Sequence, residues 1–125
     1  MSDFKIIHSD FKIIHKIEDL PLPVQIELKP YPMADADGSY QVGCVTSGPE
    51  PKPLSRLIFG ALAADGKDCF VHFESGGFAH TYSVRHYSMT SPTANKATLV
   101  EGSYVPKRCA TIDELQALLA SVRDS

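Results

Sequence analysis

Apolar positions recur in two rhythms along this chain, helical near the ends and at one internal stretch, and alternating between them. At the start, "SDFKIIHSDFKIIHK" contains the same seven residues twice. At heptad spacing Phe4, Ile7, Phe11 and Ile14 fall on one stripe, leaving Lys5, Ser9, Lys12 and Lys16 to water. Seven residues make nearly two helical turns, so a helix absorbs the copy with a drift of about 20°. In a strand an odd insertion sends every later side chain to the opposite face. The spacing therefore predicts an amphipathic helix over about 3–18. Phe and Ile are only middling helix formers, and the alternative is a short strand at each FKII with a turn at Ser9-Asp10. The stripe reads as a contact for a partner or a second copy. Its perfect identity also reads as a recent duplication tolerated at a terminus, including one introduced in cloning.

After "PLP" at 21–23, Val24, Ile26 and Leu28 alternate with Gln25, Glu27 and Lys29, the pattern of a half-buried strand. A second strand is expected over 39–46, with Asp37-Gly38 as the hairpin turn between them. "GPEPKP" at 48–53 reads as an extended connector without PxxP spacing. Leu54, Leu57, Ile58, Ala61 and Leu62 then follow helical spacing, with Gly66 placed to end that helix. Three strands are expected between 69 and 105, turning at Gly76-Gly77 and at "TSPTAN". In the last helix Thr111 and Glu114 make a capping box, and Ile112, Leu115, Leu118, Leu119 and Val122 form the apolar face.

The expected order is α-β-β-α-β-β-β-α. Residues 1–20 form an amphipathic segment, and 21–125 a single α+β domain with a mainly antiparallel sheet of about five strands and helices packed on it. That order is similar to profilin-like scaffolds such as longin and roadblock modules, which are largely interaction domains, although no residue motif accompanies it.

Composition adds bounds. A chain of 125 residues with 43% hydrophobic and 22% charged residues can bury its own core without staples. A net charge of −3 with no basic run argues against nucleic acid or a membrane surface as partner. The N-terminal stretch mixes charge with apolar residues, unlike a secretory signal or a membrane span. Three widely spaced cysteines, Cys44, Cys69 and Cys109, suggest buried thiols in a cytosolic protein.

Candidate chemistry gathers on the 69–89 hairpin, with His72, Glu74, His80 and His86. A three-residue loop at Ser75–Gly77 sets His72 opposite His80 on the face of Glu74, so that two imidazoles and a carboxylate converge. A two-residue loop at Gly76-Gly77 sends His80 to the other face, and one residue of register decides between them. Arg85 and Tyr87 share a face with Thr81 and Ser83 in either case, a polar, aromatic surface suited to a small anion or a partner. Familiar catalytic spacings fail: the Gly60–Gly66 stretch departs from a phosphate loop, "DADG" lacks the remaining calcium ligands, and neither HExxH nor GxSxG occurs.

The sequence therefore predicts a small cytosolic protein-binding module of adaptor, chaperone or immunity type, using the sheet edge or the N-terminal stripe. Its partner is expected to be another protein or a second copy, with no cofactor and no metal. The alternative is an enzyme or small-ligand sensor acting through His72, Glu74 and His80.

Overall fold

A run of apolar residues without alternation needs cover on both sides, and two such runs form the middle of this molecule. A computed structural model describes residues 11–40, 53–76 and 79–124, with side chains described as far as 121. Strands β1 (Phe11–Ile14), β3 (Ser55–Ala63), β4 (Asp68–Ser75), β5 (Thr81–Ser88) and β6 (Thr98–Val105) form a sheet in the order β1-β3-β4-β5-β6. Neighbours along that path are antiparallel, and the two-residue β2 (Met33–Ala34) joins β3 in parallel. The α+β class and the antiparallel sheet agree with the sequence expectation.

Helix α1 (Leu22–Leu28) covers one face. Its Val24 and Leu28 join Leu57, Val71, Phe73 and Tyr87 in one buried cluster. Helix α2 (Ile112–Asp124) covers the other, where Leu115 and Leu119 meet Phe59, Phe70, Val84 and Val105. The Thr111 half of the expected capping box is present at α2, with the Glu114 amide donating to Thr111 Oγ1 at 3.1 Å, while Glu114 Oε1 lies 3.9 Å from Lys107 Nζ.

Three elements differ from expectation. The second FKII is a strand, Phe11 pairing with Ala63 and Ile14 with Gly60, which is the alternative reading of this stretch in place of the helix. Ile14 therefore sits in the α1-side core while Phe11 lies across the sheet, edge-on to Phe70 at 6.0 Å. No common stripe joins them, and this strand belongs to the same sheet as β3 to β6. Phe4 and Ile7 lie outside the described residues, as do most of the expected 39–46 strand and the proline connector.

The expected 24–28 strand is α1. Val24 and Leu28 are four apart, a spacing that suits either periodicity, and only the exposed Ile26 separates the two readings. Helix entry is set by Pro23 near its N-terminus and by Gln25 Nε2, which donates to Leu20 O at 2.7 Å.

The expected 54–64 helix is β3, the strand between β1 and β4. A short apolar run buried on both sides has no alternation to betray it, so periodicity does not distinguish the two states. Gly66 takes the left-handed conformation (φ +73°) that a helix stop would also use, here as part of the β3–β4 turn. Asp65-Gly66 between two apolar runs is the local signal that points to this hairpin. With this helix replaced by a strand, β3 to β6 run as an uninterrupted meander, and the element order on which the profilin-like likeness rested is not the order found.

Candidate functional site

The β4–β5 ladder sets what the hairpin can do. Ser75 pairs with Thr81 and His72 with Val84, so five residues, 76–80, separate the strands. Neither the three-residue nor the two-residue loop is found. His72 does not face His80, yet His72, Glu74 and His86 share the face that α2 covers.

His72 is wholly enclosed, 0% exposed. Its Nε2 lies 3.0 Å from the Cys109 amide nitrogen, and a backbone N–H only donates, so Nε2 is the acceptor. The proton is thereby placed on Nδ1, which donates to Ser83 O at 2.9 Å. Both ring nitrogens are spent within the protein. Burial, the largest influence, pulls its pKa below the ordinary value, and the Ser83 carbonyl opposes that only in part. The ring is a neutral tie between the sheet and the segment that enters α2.

Glu74 is a hub. At 3% exposure, its Oε1 accepts from Tyr40 Oη and His80 Nε2, each at 3.1 Å. Its Oε2 accepts from Arg56 Nε and Nη2 at 3.2 and 3.0 Å and from Arg108 Nη1 at 2.6 Å. Burial pushes this carboxyl upward, but the hydrogen bonds of Arg56, Tyr40 and His80 with the charge of Arg108 outweigh it and leave the pKa lowered. The same carboxylate, after burial, holds the Tyr40 phenol above its ordinary value. Tyr40, Arg56 and Arg108 lie up to 34 residues from Glu74, and no local pattern announced them. His86 is committed as well, with Nε2 2.9 Å from Asp68 Oδ1 and its ring stacked on Phe70 at 4.4 Å.

Among the described residues no three His, Cys, Asp or Glu side chains converge as a metal site. Cys69 and Cys109 are free and buried; burial raises both thiols, Cys69 to about 12. Cys44 lies outside the described residues.

The α1 side of the same hairpin is covered in part and carries a groove beside the helix. Phe73, Ser83 and Arg85 contribute to a groove of about 530 Å³ that Tyr31, Gly102 and Tyr104 also line. Arg85 lies over the Tyr31 ring at 4.6 Å and near the Phe73 ring at 5.3 Å, with Nη1 3.4 Å from Tyr87 Oη. Tyr87 itself is buried, which raises its phenol, so the expected pair is one accessible arginine backed by a core tyrosine. The groove volume falls in the range of small-ligand and peptide pockets.

Strand β6 borders this groove and ends the sheet. Its Leu99, Val100 and Tyr104 are 48%, 41% and 75% exposed. An extra residue at Val100 makes a bulge against His86 and Tyr87.

No family model matches the chain, no curated protein is significantly similar to it, and no solved structure matches it. No helix among the described residues is long and apolar enough to cross a membrane.

Proposed function

We propose that this protein is a binding module that takes up an extended segment of another polypeptide as an added strand on β6. The observation that carries this reading is the β6 edge. It has no neighbouring strand beyond it among the described residues, and it presents three large apolar side chains to water. Exposed apolar edges template pairing with another chain, and folded proteins commonly blunt them with charge, proline or cover. Here the bulge at Val100 interrupts the edge, and Glu101–Val105 continues it beside the groove. Main-chain hydrogen bonds then supply affinity and alternate side-chain contacts supply selectivity. Adaptor, chaperone and immunity roles all employ such contacts, and a cytosolic location accords with the free thiols of Cys69 and Cys109. Acid/base work by His72, Glu74 and His80 finds little support, because the first two have their hydrogen-bonding capacity engaged internally.

The test is selection of binders from a displayed library of random linear peptides, followed by amide-exchange mapping of the complex. Binders are expected to protect β6 amides and to lose affinity when Leu99→Lys and Tyr104→Lys are introduced, both at exposed positions. Binders that map elsewhere and ignore these changes would overturn the reading. So would a sedimentation result in which two copies of the chain already pair through β6.

A further inference from the structure

Resting on that reading, we infer that the groove beside β6 selects a carboxylate side chain, Asp or Glu, carried by the docked strand opposite Gly102 and received by Arg85.

Three arginines flank this hairpin, and two of them, Arg56 and Arg108, end on Glu74. Among the described residues Arg85 has no carboxylate within ion-pair distance, and no Asp or Glu lines its groove. The rings of Tyr31 and Phe73 lie against the guanidinium and hold it in place, its Nη1 reaches Tyr87 Oη at 3.4 Å, and its remaining N–H donors border a groove that Ser83 also lines. A guanidinium fixed by two rings, with donors beyond the one on Tyr87, matches a carboxylate more closely than any neutral group.

Gly102 supplies the approach. It pairs with Arg85 across the β5–β6 ladder. Other glycines of the sheet have local reasons: a Cβ at Gly60 would meet Leu20 Cδ2 at 2.6 Å, and Gly66 needs its positive φ. Gly102 has neither, since its φ is ordinary and a Cβ there would lie 3.7 Å from Arg85 Cγ, a normal contact. Glycine in a strand weakens it, and it is found where another group approaches closely. On the same side of β6, Leu99 and Tyr104 rise on either side of Gly102 and leave a notch. A residue opposite Gly102 on an added strand would be two strand spacings, about 10 Å, from the Arg85 backbone. An arginine and a carboxylate side chain close that gap together across the notch.

The experiment compares peptide selections against the wild-type chain, Arg85→Gln and Gly102→Val, with β6 amide protection recorded for each enriched peptide. Wild-type selections are expected to enrich Asp or Glu at one position, and changing that residue to its amide should weaken binding about tenfold. The same change should matter little against Arg85→Gln, and Gly102→Val should abolish the acidic preference while the folded spectrum is retained. Peptides that protect β6 amides without an acidic preference, or with one that survives Arg85→Gln, overturn this inference and leave strand addition standing. Failure of every peptide to protect β6 overturns both.

Discussion

The two faces of the β4–β5 hairpin carry the same kinds of side chain to opposite ends. Towards α2, His72, Glu74, His80 and His86 look like a reactive cluster, yet their bonds close on Ser83, Cys109, Tyr40, Arg56, Arg108 and Asp68. Towards α1 stands Arg85, held by aromatic rings and with no carboxylate within ion-pair distance among the described residues. The difference teaches that abundance of ionisable groups does not mark a site. Unspent hydrogen-bonding capacity in an accessible place does.

If the α2-side cluster is structural, removing its hub should cost most. Glu74→Ala leaves Arg56 and Arg108 facing each other without their shared carboxylate, and a loss of about 3 kcal/mol of folding stability is expected by urea denaturation. A stability unchanged by this substitution would remove the distinction between the faces. His72→Leu keeps bulk but strands the Cys109 amide and the Ser83 carbonyl, with an expected cost of about 2–3 kcal/mol.

Acid should act on this face in a defined sense. The unfolded His72 takes a proton near its ordinary value of 6.5 while the folded ring resists, so stability falls as pH drops below about 6.5. Glu74, held low in the folded state, contributes stability above its ordinary value of 4.5 and loses it as pH falls through the folded value. Urea midpoints measured from pH 7 to pH 4 should decline, and His72→Leu should flatten the upper part of that decline. Smallest of all is Arg85→Gln, which gives up the ring contacts and the long 3.4 Å bond to Tyr87 Oη and should change stability by less than about 1 kcal/mol while altering peptide selection. A large destabilisation there would place Arg85 with the structural residues.

Particular residues show how far the chain could be read in advance. The 69–105 strands carry β-branched and aromatic residues between Gly and Pro turns, and α2 has its Thr111 cap, so those local preferences and the final packing agree. Arg85 and Tyr87 share one face, which follows from strand parity alone. The β3 stretch misleads because Leu57, Ile58, Ala61 and Leu62 suit a helix stripe and a strand buried on both sides equally well. The N-terminal heptad misleads for a related reason: Phe11 and Ile14 are both apolar because each face of β1 meets a core.

Taken alone, the order of residues determined the α+β class, the last three strands, the capped final helix and the identity of the candidate polar groups. These depend on neighbours a few positions apart, where rotation per residue and turn chemistry act directly. Which of those polar groups are spent was settled by contacts between distant segments: Tyr40, Arg56 and Arg108 on Glu74, Cys109 on His72, and Gly102 beside Arg85. Hydrogen bonds saturate, so a side chain's availability depends on partners that only the folded chain brings within reach.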